Sequence, residues 1–207
     1  MKKSALWKDI FREIWRTKAR FLSIFAIIML GVGFFAGIKA TGPDMLDTAE
    51  HYYKQYNLMD LKVQTTYGLK QSDIDTLNQV SDVEAVQPGY SADAFLDDSS
   101  LVAKIRSYRP DDTINRYLIV QGRLPETSGE IALDKSGKTK HYKLGDTITF
   151  MNPDPEVDLN DTFHTLSYKV VGFVQSPQFI NTIGRGTSQI GKGTADVFAV
   201  IPEQDFN

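Results

Sequence analysis

The sequence predicts an α+β protein, with an N-terminal amphipathic helix and one transmembrane helix before an external mixed α/β domain that carries a β-rich insertion. Three observations predict this class. Residues 21–38 contain no charged side chain, residues 1–20 are basic, and residues 41–207 consist of short apolar runs separated by Gly, Pro, Asp and Ser. The 207 residues include no cysteine, which excludes disulfides, iron–sulfur clusters and cysteine-based zinc sites.

The apolar run is the strongest signal in the chain. As a helix, 18 residues extend about 27 Å, which is close to the hydrocarbon thickness of a bilayer. The sequence therefore predicts a transmembrane helix within residues 21–40, and a buried core helix is the alternative. The large apolar residues of this predicted span are Phe21, Leu22, Ile24, Phe25, Ile27, Ile28, Leu30, Val32, Phe34, Phe35 and Ile38.

Charge predicts the orientation of the span. Seven Lys or Arg residues precede it and only Lys39 follows it closely, so the positive-inside rule places residues 1–20 in the cytoplasm and residues 41–207 outside the cell membrane. A cleaved signal peptide fits poorly, because no small-x-small site follows the apolar run. Residues 41–207 carry fifteen basic and twenty-four acidic side chains, which argues against a nucleic-acid partner.

The basic leader also carries an apolar stripe. Its members follow the i, i+3, i+4, i+7, i+8 spacing of one helix face. We expect a helix over 4–18 that lies along the inner membrane surface as an elbow, or that packs against other protein helices. The residues of this apolar face are Trp7, Ile10, Phe11, Ile14 and Trp15.

A second helix is expected directly after the span. Gly42 and Pro43 are predicted to interrupt the transmembrane helix, and a stalk helix within 41–57 then begins, with Asn57 as its stop. Its predicted face consists of Met45, Ala49, Tyr52, Tyr53 and Tyr56.

The segment 58–115 is expected to form an external β-α-β-β subdomain. A capping-box-like pair, Ser72 and Asp75, starts its helix, which runs to Val80. The extended segments are expected at 61–67, 83–96 and 101–108.

The segment 116–195 is expected to form a β-rich insertion subdomain, because four short apolar runs alternate with turn residues. A returning strand at 196–202 follows, and Pro202–Asp205 resembles the first turn of another helix. We therefore expect the natural protein to continue beyond residues 196–207 into further helices.

Two loops resemble ligand-binding motifs without matching them. Residues 186–193 approach the phosphate-loop pattern, but Gly193 stands where a magnesium-binding hydroxyl is required and a strand follows instead of a helix. Asp154, Glu156 and Asp158 alternate as in a calcium loop, but the turn glycine of that motif is absent. A flexible glycine loop and a solvated acidic loop are the favoured interpretations.

No catalytic constellation is recognisable. The three histidines have no second ligand at metal spacing, and no nucleophile motif is present. We expect no catalytic residue, no metal and no cofactor in this chain. The histidines are His51, His141 and His164.

The order of these features resembles the N-terminal part of an FtsX-like/MacB-like ABC transporter permease. The stretch IWRTKARFLSIFAIIMLGVGFFAGI is similar to the family's elbow helix and first span. VQGRLPETSGEIALDKS, YKLGDTITF and YKVVGFVQSP are similar to its external-domain series G-R-x-P, E-I-x-L, L-G-D-x-I and V-V-G. DVFAVIPEQDF resembles the strand that closes the insertion.

The resemblance implies four spans flanking one external domain, a separate cytoplasmic ATPase subunit, and a second permease copy or half. It implies movement of the external domain, driven by ATP hydrolysis, that exports or releases a peptide, lipid or lipoprotein or controls an external partner. The stalk helix is then a lever. Two alternatives are a membrane-anchored sensing or binding module without transport activity, and a membrane-tethered enzyme.

Overall fold

The computed structural model of the protein describes residues 3–65, 67–97, 100–152, 154, 156–180 and 184–207. The chain divides into two compact units, residues 1–51 and 52–207. The first unit is helical, and the second contains a β-sheet.

Two helices account for the first unit. Helix α1 (Lys3–Arg16) lies where the sequence predicts a helix over 4–18, and helix α2 (Lys18–Gln55) begins two residues later and ends in the second unit. Between them, the backbone N–H of Thr17 donates to Glu13 O at 3.0 Å, which continues the helical pattern.

The predicted interruption at Gly42 and Pro43 is wrong, because Pro43 lies inside α2. Proline removes one backbone hydrogen bond, here to the carbonyl of Lys39. Helix propagation is cooperative, and each further residue adds a bond, so a single missing bond does not end a long helix. The predicted span and stalk are therefore one continuous helix.

In the residues that the structure describes, the second unit contains helix α3 (Gln71–Asn78) and seven strands. The strands are β1 (Ser91–Leu96), β2 (Val102–Tyr108), β3 (Leu118–Gly122), β4 (Glu130–Asp134), β5 (Thr147–Met151), β6 (Ser167–Gln175) and β7 (Val197–Pro202).

All seven strands form one sheet in the order β3-β6-β4-β7-β2-β1-β5, and β5 also pairs with β6. That additional pairing closes six strands into a ring. The β2–β7 and β4–β6 pairs are parallel and the others are antiparallel. Strands from both predicted subdomains, 58–115 and 116–195, join this sheet, and the boundary between them stays a prediction.

Strand alternation divides the core into two clusters. All six residues of β7 are buried. Val197, Ala199 and Ile201 belong to the larger cluster, whereas Phe198 and Val200 belong to a smaller one on the other face of the sheet. Because side chains point to opposite faces in turn, β7 contributes to both clusters.

Two local predictions in the first part of this unit are wrong. The described residues of 61–67 form no strand, and Leu61 is 87% exposed. An alternating pattern produces a strand only where a neighbouring strand and a core are available to it. The start of α3 is also shifted: Asp73 accepts from the backbone N–H of Lys70 at 2.9 Å, so the pair Ser72 and Asp75 does not form the capping box.

The remaining strand predictions are confirmed, although one predicted strand is shorter than expected. The expected extended segment 83–96 forms a strand only from Ser91, and the predicted turn after β7 is a single 3-10 turn, Glu203–Asp205. Outside the ring, β3 lies very close to β6 where Gly122 pairs with Gly172. A Cβ on Gly172 would lie 2.0 Å from the carbonyl oxygen of Arg123.

Candidate functional site

The predicted span lies on α2 with all of its large apolar residues exposed. Their exposed fractions range from 47% at Phe21 to 73% at Phe34. Among the described residues, α2 is the one helix long and apolar enough to cross a membrane, and none of its most apolar stretch is buried. A continuous exposed apolar surface of this size indicates contact with lipid or with another protein.

The five residues of the predicted elbow face lie on α1. Trp7, Ile10, Phe11 and Trp15 are exposed, and Ile14 is half-buried. The rings of Trp7 and Phe11 are tilted against each other with centroids 6.4 Å apart. Contact of this face with the membrane stays a prediction.

The predicted stalk face divides between the two units. Met45 is exposed and Ala49 half-buried in the first unit, whereas Tyr52, Tyr53 and Tyr56 are half-buried in the second. The rings of Tyr52 and Tyr56 have centroids 4.9 Å apart. Burial, followed by repulsion from the neighbouring tyrosines, raises the pKa of Tyr52. The tyrosine part of the face therefore belongs to the folded domain.

The predicted stop at Asn57 is confirmed. Asn57 has a φ of 49°, in the left-handed region. The N–H of Leu58 donates to Tyr53 O at 3.0 Å, and the N–H of Asn57 donates to Lys54 O at 3.3 Å. These two bonds form a Schellman motif, which satisfies carbonyl groups that the helix end would otherwise leave unpaired.

A loop of residues 113–116, which we call the clasp, holds this helix end. The N–H of Asn115 donates to Asn57 O at 2.7 Å, and the N–H of Arg116 donates to Tyr56 O at 2.9 Å. In return, the N–H of Met59 donates to Asn115 Oδ1 at 3.0 Å. Asn115 also has a left-handed backbone, with a φ of 56°. The helix end is thus fixed by backbone bonds on both sides.

Further bonds extend the clasp to side chains and to a third segment. Asn57 Nδ2 donates to Thr113 O at 3.0 Å. The side chain of Gln87, which precedes β1, accepts from the N–H groups of Thr113 and Ile114 at 3.0 Å and 2.8 Å. Arg116 Nη2 donates to Gln55 O at 2.7 Å. Sequence analysis missed the clasp, because none of these residues belongs to a recognisable motif.

An open cavity of about 540 Å³ lies beside the helix end. Its lining combines two basic side chains with apolar ones from the helix end and from the loop after β6. The lining residues are Tyr53, Leu58, Met59, Lys62, Arg106, Pro177, Gln178, Phe179 and Ile180.

Arg106, on β2, is the central polar group of the cavity. One terminal nitrogen, Nη1, donates to Gln178 Oε1, and the guanidinium carbon lies 5.0 Å from the ring centroid of Phe179. Its Nε atom is buried and has no hydrogen-bond partner among the described residues. Burial lowers the pKa of Arg106.

The cavity is locally basic. Burial lowers the pKa of Lys62, and repulsion from Arg106 and Lys104 lowers it further. Lys104 is neutralised by Asp93, at 2.6 Å. Over the described part of the chain, no carboxylate lies within 4.0 Å of a charged nitrogen of Lys62 or Arg106.

An aromatic layer supports the cavity wall. Phe179 stacks on Phe198 of β7 with ring centroids 5.1 Å apart, and Tyr117 stacks on the same Phe198 at 6.1 Å. Burial raises the pKa of Tyr117 to about 12, although Arg106 opposes this shift. The ring of Phe179 is therefore fixed between the smaller core cluster and the cavity.

The motif-like loops have structural roles. Residues 186–193 form a turn in which the N–H of Ser188 donates to Gly193 O at 3.0 Å, and β7 follows as predicted. Asp154 and Asp158 each accept a backbone N–H two residues later. In the part of the chain that the structure describes, no three His, Asp or Glu side chains are grouped to hold a metal.

The sequence profile of the MacB-like periplasmic core domain matches residues 21–206. The chain belongs to this family. The match covers both the apolar part of α2 and the whole sheet, which makes the chain part of an ABC transporter permease-type protein, anchored in a membrane with an external domain. The MacB-like family is a group of non-enzymatic transporter components. No curated protein matches the chain.

The motif residues of this MacB-like domain are structural and lie outside the cavity lining. Gly122 and Gly172 allow the close approach of β3 and β6. Arg123 forms an ion pair with Glu130, and Glu130 also accepts the N–H of Glu126 at 2.9 Å. The N–H of Gly145, whose φ is 91°, donates to Val170 O at 2.8 Å. The residues of these motifs thus support the strand contacts and turns of the sheet.

Proposed function

We propose that this chain is the N-terminal part of a permease subunit that couples ATP hydrolysis by a separate cytoplasmic ATPase to movement of its external domain. The movement serves export or release of a peptide, lipid or lipoprotein, or control of an external partner. The main support for this proposal is that a single family match includes both the membrane helix and the sheet. ATPase activity belongs to the partner subunit, and a second permease copy or half completes the transporter.

The proposed topology follows from charge. The basic residues of 1–20 face the cytoplasm and residues 41–207 lie outside. Helix α1 lies on the inner surface of the cell membrane with Trp7 and Trp15 among the lipid headgroups, since amphipathic tryptophan suits that layer.

Single cysteines test this topology, because the chain has none of its own. Thr17→Cys and Lys140→Cys are both exposed positions. A membrane-impermeant maleimide added to whole cells is expected to label the Lys140→Cys variant, and the Thr17→Cys variant only after permeabilisation. Labelling of Thr17→Cys in intact cells, or protection of Lys140→Cys, contradicts the orientation.

The clasp supports a lever role for α2. A helix transmits displacement only if its end is attached to the element that moves. Here the backbones of Tyr56, Asn57 and Met59 are bonded to the loop 113–116, and these bonds must break before the helix end slides past that loop. Net hydrogen bonds of about 1 kcal/mol each add up to a substantial resistance.

Tyr52→Pro tests the lever in the permease with its ATPase. Proline removes the N–H of residue 52 and distorts the turn before it, by about 3 kcal/mol in a helix interior. Tyr52→Leu is the matched control, since leucine retains the helix. We measure single-molecule energy transfer between labels at Thr17→Cys and Lys140→Cys upon addition of ATP and vanadate.

The change in energy transfer is expected in the wild type and in Tyr52→Leu, and it is expected to disappear in Tyr52→Pro while ATP is still hydrolysed. An unchanged response in a correctly inserted Tyr52→Pro permease refutes the lever role.

The cavity favours a second candidate function, a membrane-anchored sensing or binding module without transport. The two functions differ in their partner. Purification of the tagged protein from its native membrane is expected to recover an ABC-type ATPase, and a complete gene with one span and no associated ATPase favours the binding module.

A further inference from the structure

We propose that the cavity beside the helix end binds a small amphipathic anion, with its phosphate or carboxylate group at Arg106 and Lys62 and its apolar tail against Met59, Phe179 and Ile180. This inference goes beyond the proposed coupling function and does not depend on it. It assigns the external domain a ligand class.

The incomplete hydrogen bonding of Arg106 is the first argument. A guanidinium carries five N–H donors in a planar fork that matches the two oxygens of a carboxylate or phosphate. In the described structure Nη1 has one partner, a neutral amide, and the buried Nε has none. A buried donor without an acceptor is unfavourable, because the group has lost its water partner and gained no other. An anionic ligand in the cavity supplies acceptors to the remaining terminal N–H groups of this guanidinium, and its charge offsets the incomplete hydrogen bonding around the buried Nε.

The local charge is the second argument. Residues 41–207 are acidic overall, yet no described carboxylate neutralises Arg106 or Lys62. Two cations that repel each other inside a partly desolvated cavity destabilise the empty state. An anion between them reverses that repulsion, and its desolvation by the cavity walls strengthens the attraction.

The apolar part of the lining is the third argument. Inorganic phosphate leaves Met59, Phe179 and Ile180 in contact with water, and Ile180 is already a large exposed apolar side chain. A volume of about 540 Å³ lies in the range of pockets that hold small organic ligands. A ligand with one anionic end and one apolar end satisfies both halves of the cavity.

The ligand test uses the full chain in phosphatidylcholine nanodiscs, with empty nanodiscs as the blank. Hexyl phosphate is the probe, and binding is measured by saturation-transfer NMR of its methyl and methylene protons. Inorganic phosphate, hexanol and hexyltrimethylammonium are the comparison compounds. We expect a saturable signal for hexyl phosphate and much weaker binding of the three others.

Two pairs of variants test the site. Lys62 and Lys169 are both exposed lysines, and only Lys62 lines the cavity. Lys62→Gln is expected to weaken binding about tenfold, the loss of one charged hydrogen bond, whereas Lys169→Gln leaves it unchanged. Ile180→Asp is expected to abolish binding, and Val157→Asp, also an exposed loop position, is its control. Because these side chains are exposed, the substitutions are expected to leave the fold intact.

The same experiment contains the results that overturn the proposal. If hexanol binds as well as hexyl phosphate, the site is only apolar. If inorganic phosphate binds as well, the site recognises only the anionic group. If Lys62→Gln and Lys169→Gln weaken binding equally, the attraction is non-specific. Absence of any signal for hexyl phosphate also refutes it.

Nanodiscs that contain phosphatidic acid identify the source of the anion. If they compete with hexyl phosphate, the anionic group is a lipid headgroup of the membrane, and if they do not, the ligand is a soluble amphiphile. Neither result involves ATP or the ATPase, so failure of the coupling function leaves this test unaffected.

Discussion

Asn57 and Asn115 are joined by a 2.7 Å backbone hydrogen bond, and both have left-handed backbones, with φ of 49° and 56°. Asparagine tolerates this conformation better than other residues with a Cβ, because its short amide bonds locally. One asparagine ends the long helix and the other turns the clasp toward it. Two residues 58 positions apart in the sequence thus contribute directly to the bonds between the C-terminal end of α2 and the clasp.

Asn115→Ala is expected to loosen this attachment. It removes the bond from the N–H of Met59 to Asn115 Oδ1 and places alanine in a left-handed conformation, a combined loss of about 1–2 kcal/mol. Asn115→Asp keeps the acceptor and is the control. Hydrogen exchange of residues 56–60 is expected to accelerate roughly tenfold in the alanine variant. Unchanged exchange contradicts a structural role for the clasp.

Gly172→Ala is expected to destabilise the sheet by about 3 kcal/mol or more, because the new Cβ would lie 2.0 Å from a backbone oxygen that cannot move freely. Gly145→Ala is the comparison variant, because it introduces backbone strain without a steric clash. Gly145 has a φ of 91° and open space around it, so alanine there is unfavourable by about 1–2 kcal/mol. Thermal unfolding measures both, and equal losses would show that the close approach at Gly172 is relieved.

Tyr168→Phe is expected to leave stability unchanged or raise it by up to about 1 kcal/mol. The Tyr168 hydroxyl is buried and has no hydrogen-bond partner among the described residues, so its removal deletes an unsatisfied group while the ring stays packed. Tyr142→Phe is the control, because the Tyr142 hydroxyl donates to Asp97 at 2.8 Å. Urea denaturation compares the two, and a loss at Tyr168 as large as at Tyr142 would indicate a buried water partner.

Glu130 is expected to make stability depend on pH in acid. Its hydrogen bond with Arg123, followed by the N–H groups of Glu126 and Thr127, lowers the pKa of Glu130 from 4.5 to about 2. A lowered folded-state pKa stabilises the fold above the unfolded-state pKa, and that contribution is lost as the pH falls from about 4.5 towards 2.

Glu130→Gln tests this linkage. The difference in urea midpoint between wild type and Glu130→Gln is expected to be constant from pH 7 to about pH 5 and to shrink below about pH 4.5. Glu126→Gln, which changes a more exposed partner of Arg123, is expected to show a much smaller difference. If the wild type keeps its higher urea midpoint at the lowest pH, the stabilising effect of Glu130 comes from packing and not from its charge.

Local pattern was sufficient for most elements. The strands expected at 101–108 and 196–202 correspond to β2 and β7, and the charge-free run at 21–38 lies in the long apolar helix α2. Asn57 was also predicted to end the helix. In each case the preference is encoded within a few neighbouring residues, by side-chain period or by backbone conformation.

Local sequence patterns gave wrong predictions in two places, where helix cooperativity or strand pairing decided the structure. Pro43 does not end α2, because the bonds on both sides of it continue the helix. The segment 61–67 pairs with no strand and is irregular over its described residues.

The sequence by itself determined the long apolar helix, the approximate positions of the described strands and, through its turn residues, the resemblance to the family. Only the tertiary structure decided that β5 returns to β6 to close the ring, that Asn115 meets Asn57, and that Arg106 and Lys62 form a basic cavity in an acidic domain. The ring closure, the clasp and the cavity each bring together residues that are far apart in the chain. Such contacts depend on how the strands pair with one another, and the local periodicity of the sequence does not encode that pairing.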